Sequence, residues 1–173
     1  MPGPRLISIV GKQNSGKTTL AVALIKELGR RKHRVMSIKY ADHPPKVDEE
    51  GRDAWRHMQE GGAERVVMES PGLRALIAKT TEQKPPRELA ADFLGEAEFV
   101  VVEGDGGADI PRIEVFRKAV HADPIFAAGA PGADRFLAIL TDSREFRANI
   151  PVLRFSDTAW MYRLVDIVLQ GAK

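Results

Sequence analysis

Apolar positions along this chain follow two rhythms. Leu6 to Val10 is a compact apolar run closed by Gly11, which predicts a buried strand. From Thr18 the spacing becomes helical, with Leu20, Leu24 and Leu28 on one face beside Ala21 and Ile25, and Gly29 reads as the stop. Val35 to Tyr40 predicts a second strand, Asp53 to Glu60 a short helix, and Arg65 to Glu69 a third strand after Gly61 and Gly62. Leu73 to Lys79 fits strand or helix equally, and Gln83 to Glu88 reads as a loop before a helix from Arg87 to Leu94. Phe99 to Val102 is the most apolar run and predicts a strand in the middle of the sheet. A glycine-rich turn follows, then strand-like Ile113 to Arg117, a loose tract from His121 to Arg135, strands at Phe136 to Leu140 and Val152 to Phe155, and a closing amphipathic helix from Thr158 to Leu169. Strands alternating with helices imply an α/β architecture with a parallel sheet. With no linker and no internal repeat, one domain over residues 1–173 is expected.

Composition narrows the picture. At 173 residues the chain can bury a substantial core, and 43% hydrophobic with 29% charged residues is ordinary for a globular protein. The 26 basic and 24 acidic residues leave a formal charge of +2, too little to demand nucleic acid. The basic cluster Arg30 to Arg34 has no interleaved aromatics and sits where it complements the carboxyl end of the preceding helix. The absence of cysteine excludes disulfides, thiolate metal sites and a cysteine nucleophile. No run approaches the ~20 apolar residues of a membrane span. The expectation is a cytoplasmic protein without a membrane partner.

The strongest chemical signal is GKQNSGKT, Gly11 to Thr18, which fits G-x-x-x-x-G-K-[ST] between an apolar strand and an amphipathic helix. Gly11 and Gly16 let successive N–H groups curl around a phosphate, and the helix amino end adds its dipole. Lys17 is expected on the β- and γ-phosphates and the Thr18 hydroxyl on Mg²⁺. Asn14, Ser15 and Thr19 complete the expected nucleotide-binding set. Hydrolysis also needs acidic groups, and two compete. Glu103 ends the apolar strand FVVVE, at the carboxyl end where ligands bind in open parallel sheets, and is favoured as the carboxylate nearest the metal. Asp48 lies in the short D-x-x-G form DEEG and is a candidate switch or supporting residue. His43, three residues beyond the second strand, either faces an anion or is simply solvated. Arg52 and Arg56 either clamp a phosphate or pair with a neighbouring acid, and His57 and His121 carry no signal of their own.

Taken in order, SIVGKQNSGKTTL, IKYADH, VDEEGRDAWRHMQEGGAERVV and VVVEGDGGADIPRIEVFR resemble the molybdopterin-guanine dinucleotide biosynthesis protein MobB family. The resemblance runs from Leu6 to about Arg117 and returns at FLAILTDS and the final helix. It implies the P-loop NTPase fold, a mostly parallel sheet flanked by helices, in a GTP-binding, usually homodimeric protein with at most slow GTPase activity. It also implies an accessory role beside MobA, the guanylyltransferase that joins GMP to molybdopterin. By position, Gly11, Gly16, Lys17 and Thr18 would hold phosphates and metal, His43, Asp48, Gly51 and Asp53 would form the loop facing the site, and Glu103 and Gly104 would close it. Asp105 and Gly106 stand where the family shows an aromatic and a basic residue, and Ala54 where it favours a hydroxyl.

Guanine selection needs an acceptor for N1–H and the exocyclic amine. Asp142 in TDS is the candidate base reader, while Asp157, just before Thr158, reads better as a helix cap. Direct binding of molybdopterin is an open possibility. Two other functions compete: a P-loop small-molecule kinase using His43, Asp48 and Glu103, and a metallochaperone GTPase, which four scattered histidines without cysteine make a poor fit. The Gly/Ala-rich stretch from Ile125 to Ala130 is either a contact between subunits or a surface loop.

Overall fold

A computed structural model describes residues 3–41, 53–105 and 109–172. His43, Asp48, Gly51, Arg52 and Gly106 lie outside the described residues. In chain order the elements are β1 (Arg5–Val10), α1 (Lys17–Arg30), β2 (Val35–Lys39), α2 (Asp53–Gln59), β3 (Arg65–Ser70), β4 (Leu73–Ala78), α3 (Pro86–Phe93), β5 (Phe99–Glu103), β6 (Arg112–Phe116), β7 (Phe136–Thr141), β8 (Val152–Arg154) and α4 (Trp160–Gly171). They form two compact units, residues 41–83 and the remainder.

The larger unit is built on a six-stranded sheet ordered β2-β5-β1-β6-β7-β8. Each neighbouring pair in it is parallel, with Ile9 opposite Glu103 in β5 and Val10 opposite Glu114 in β6. A parallel sheet covered on both faces needs apolar side chains of both parities, which accounts for the unbroken runs ISIV and FVVV. Ile7, Ile9, Phe99, Val101, Ile113 and Val115 face the helices α1 and α4, meeting Leu20, Leu24, Leu28, Leu164, Val165 and Val168. Leu6, Val100 and Val102 face the other way, onto Ala90, Ala97 and Ile110 around α3. Further along that face Val10, Phe116 and Ile139 meet Phe126 and Phe136. Each fully buried side chain of this kind contributes roughly 1.5–3 kcal/mol. β5 lies inside the sheet, hydrogen-bonded on both sides, as its composition predicts.

Helix α1 passes through Gly29 instead of stopping there. The stop comes at Lys32, whose φ of 71° lets His33 N–H bond Leu28 O at 3.1 Å and Lys32 N–H bond Gly29 O at 2.9 Å. This is a Schellman closure with lysine in the left-handed position normally taken by glycine. Gly29 is exposed and a Cβ there meets nothing within 4 Å. Gly29→Ala is therefore expected to stabilise the protein by about 0.5–1 kcal/mol in urea unfolding, and an unchanged midpoint would contradict this. The basic cluster after it is paired: Arg30 and Arg31 with Glu27, Arg31 also with Asp166, His33 with Glu98 and Arg34 with Glu96.

The smaller unit corrects one sequence expectation. Arg65–Ser70 is not a further strand of the parallel sheet; it pairs antiparallel with Leu73–Ala78 as a separate two-stranded sheet. The turn is Pro71-Gly72, with Gly72 at φ 82°, a position that suits glycine. Among the described residues no helix is long and apolar enough to cross a membrane.

Candidate functional site

The sequence places a glycine-rich segment at the carboxyl edge of the sheet, directly between β1 and α1. Within it Asn14 has φ 61° and Gly16 φ 99°, both left-handed, and these two reversals curl the loop. Gly11 is obligatory for space: a Cβ there would lie 2.5 Å from Ser15 Oγ and 2.6 Å from the Val115 carbonyl oxygen. Helix α1 begins after Gly16 with no side-chain cap and no acidic residue in its first turn. Its leading N–H groups and the positive end of its dipole therefore have no anionic side chain of their own.

Two side chains close this loop. Lys17 Nζ donates to Gly11 O at 2.8 Å and to Lys12 O at 3.0 Å, folding its ammonium back across the loop's first residues. Thr18 Oγ1 donates to Glu103 Oε1, which β5 delivers from the neighbouring strand. The Glu103 side chain is 14% exposed, and Lys39 Nζ at the end of β2 lies 3.5 Å from the same oxygen. Gly104, at φ 100°, turns the chain away, and its carbonyl accepts from Ser8 Oγ at 3.0 Å. Thus Lys17 and Thr18, named from the glycine-rich motif, and Glu103, named from its place at the end of an apolar strand, lie together here. A hydroxyl and a carboxylate are hard oxygen donors suited to Mg²⁺, which keeps waters and takes phosphate oxygens for its other positions. No cluster of three or more acidic, histidine or cysteine groups suited to a metal occurs among the described residues. Ser15 Oγ is buried without a hydrogen-bond partner among the described residues.

A second group of residues surrounds the loop from β6, β7 and β8. Arg117, directly after β6, donates from Nε to Ser15 O at 3.2 Å, and its guanidinium lies 4.0 Å from the Phe155 ring centre. His121 Nε2 lies 2.6 Å from Gln13 O, so that nitrogen carries the proton. Asp142 accepts from Lys118 N–H at 2.7 Å and Ala119 N–H at 3.4 Å, tying the turn after β6 to the end of β7. Arg117, His121 and Lys39 were missed by sequence reasoning. Arg117 had a signal, its position at the carboxyl end of an apolar strand like Glu103; His121 had none.

The tract from His121 to Arg135 is better held than its composition suggests. Glu114 on β6 is 1% exposed and accepts from Ile125 N–H at 2.5 Å and Phe126 N–H at 2.8 Å. Burial pushes its carboxyl pKa above the usual range against the pull of the two amides and Lys12. Phe126 turns inward against Phe136, ring centres 5.4 Å apart, while Ile125 stays exposed. Asp157 accepts from Ala159 N–H at 2.9 Å in the turn ahead of α4, whose N-cap is Ala159 with no side-chain cap, so the capping role expected of Asp157 is not formed.

In the smaller unit, Asp53, Arg56, His57, Glu60 and Gly61 line an open cavity of about 410 Å³. Arg56 pairs with Glu60 at 3.0 Å, which satisfies its charge locally. Ala54 is buried in α2, and Asp105 pairs with Arg112 at 2.8 Å.

The family model that matches is molybdopterin guanine dinucleotide synthesis protein B, MobB, over residues 6–142. A molybdopterin-guanine dinucleotide biosynthesis adapter protein of Haemophilus influenzae is 36% identical over 119 residues, 65% of this chain and 64% of the relative. Its Escherichia coli counterpart is 30% identical over 125 residues, 69% of each chain. The chain thus spans about two thirds of the length of these curated relatives. The crystal structure of Bacillus subtilis MobB aligns with a TM-score of 0.69 at 20% identity, covering 94% of this chain and 97% of that one, a likeness of fold.

Proposed function

This chain belongs to the MobB family, and from that premise we propose that it is a GTP-binding adapter in the formation of molybdopterin guanine dinucleotide. The observation that carries the nucleotide part is the closure of Gly11 to Thr18 by Lys17 and of Thr18 onto Glu103, at the uncapped start of α1. In this reading the loop amides and Lys17 take the phosphates, and Thr18 and Glu103 hold Mg²⁺, which neutralises phosphate charge. Asp142 reads guanine with the lone pairs its two backbone amides leave over. The adapter part rests on the relatives' names; a MobA-like guanylyltransferase as partner, a homodimer as working form and slow GTP turnover are what the family resemblance implies. Molybdopterin is the candidate second ligand.

Titration calorimetry with GTP and with ATP, each with Mg²⁺, tests the reading on the protein and on Lys17→Ala. GTP-selective binding is expected, weakened at least about 100-fold in the variant through loss of charged hydrogen bonds worth roughly 1.5–3 kcal/mol each. Equal affinity for the two nucleotides would transfer the assignment to a small-molecule kinase, and unchanged binding by Lys17→Ala would remove the loop from the site.

A further inference from the structure

A phosphate loop works only if its carbonyl groups point away from the anion while its N–H groups point toward it. Outward carbonyls need donors of their own. Two of them, on alternate residues of the loop, are served from a single turn. Arg117 Nε donates to Ser15 O at 3.2 Å, and His121 Nε2 donates to Gln13 O at 2.6 Å. Between these carbonyls lies Asn14, in the left-handed conformation that reverses the loop.

The turn that presents both donors is itself tightly wound. Val120 N–H and His121 N–H both bond the Arg117 carbonyl, at 3.0 and 2.9 Å. Asp142 holds its middle through the Lys118 and Ala119 amides. The Arg117 guanidinium is fixed on one face by the Phe155 ring at 4.0 Å, and a Cβ built on Gly16 would lie 3.8 Å from its Nη2. Its charge therefore rests against the loop residue that precedes Lys17. Among the described residues it meets no carboxylate, unlike Arg112, which pairs with Asp105 at 2.8 Å.

We propose that residues 117–121 form a clasp on the phosphate loop, with Arg117 and His121 as positioning residues that fix the loop for a nucleotide's phosphate chain. The proposal rests on the nucleotide-binding reading above and adds what sets the affinity of that site. Asp142 anchors the clasp, so the residue at the base end and the loop at the phosphate end share one turn. Arg117 and His121 each act through a loop carbonyl, and Arg117 adds a positive charge that no carboxylate among the described residues offsets.

The experiment uses the full chain and four variants: Arg117→Ala, Arg117→Lys, His121→Leu and His121→Gln. Calorimetry measures Mg²⁺·GTP and, separately, inorganic pyrophosphate, and hydrogen exchange of the loop amides is followed without ligand. Arg117→Ala is expected to weaken both ligands by about 10–100-fold, as loss of one charged hydrogen bond implies. Arg117→Lys keeps the charge but not the planar Nε contact, and is expected to recover only part of the affinity. His121→Leu is expected to cost about 5–10-fold, with His121→Gln restoring a donor and most of the loss. Loop amides are expected to exchange faster in Arg117→Ala and His121→Leu, which reports the clasp independently of any ligand. Should Arg117→Ala fold poorly, the His121 pair decides alone. Wild-type protein that binds while the variants bind within twofold and exchange at wild-type rates overturns the clasp only. Wild-type protein that binds neither GTP nor pyrophosphate overturns the nucleotide reading and the clasp with it.

Discussion

Gly11→Ala is expected to abolish nucleotide binding and to lower stability by about 2–4 kcal/mol, combining a steric clash with a backbone conformation that side chains resist. The clash has two parts of different character. Ser15 Oγ, 2.5 Å from the new Cβ, is a side-chain atom that can rotate away. The Val115 carbonyl, at 2.6 Å, belongs to the backbone of β6 and cannot move without disturbing the sheet. Gly11 also has φ 156°, where L side chains are strained. At roughly 2–4 °C per kcal/mol for a chain of this size, the melting temperature should fall by about 5–15 °C. Gly95→Ala is the control, since its Cβ would meet only Ala91 O at an ordinary 3.8 Å. A Gly11→Ala protein that melts normally and binds GTP would show that the strand end yields, and the loop geometry described above would then not be the binding geometry.

Glu114→Ala should be nearly as damaging, at about 2–4 kcal/mol, because it strands two amides at roughly 1–3 kcal/mol each. The expected consequence is local as well as global: Ile125 and Phe126 lose their acceptor, and the loop between β6 and β7 comes away from the sheet. The charge on Glu114 is a separate matter. Its folded pKa lies above the ordinary 4.5 because burial disfavours the carboxylate. Between those two values the folded state binds more protons than the unfolded state, so stability falls as pH rises through that window. Glu114→Gln keeps an acceptor oxygen and removes the titration. Urea unfolding from pH 4.5 upward should therefore show wild type losing stability relative to Glu114→Gln and then levelling off. A difference that stays flat, or that grows in wild type's favour with pH, would mean that the two amides outweigh burial at this site.

Sequence reading succeeded here where short-range patterns carry the information. Gly11 to Thr18 is set by neighbouring residues, and the parity of apolar residues in Phe99 to Glu103 announces burial on both faces. It failed where several local patterns tie. LRALIA at Leu73 to Ala78 matches strand and helix periods equally, and only pairing with β3 decides. Gly29 looked like a helix stop because glycine often is one, but the chain placed the left-handed residue at Lys32. The contacts of Arg117 with Ser15 and of His121 with Gln13 bridge 102 and 108 positions, so no window along the sequence contains both partners. Glu114 was hidden by its surroundings, since one acid within IEVFR reads as the polar half of an alternating strand. His43 and Asp48 fall outside the described residues and stand as sequence expectations.

The strand order bears on how the chain is made. β1 is synthesised well before both of its neighbours, β5, with Arg5 opposite Phe99, and β6. At about 5–20 residues per second of synthesis, ISIV waits on the order of 5–20 s before either neighbour exists. Through that interval an uncharged apolar segment has both backbone edges bare, the situation in which strands recruit unintended partners. Assembly of the sheet is therefore governed by the middle of the chain, and truncations that end before Phe99 should yield aggregating fragments instead of a partly built nucleotide site.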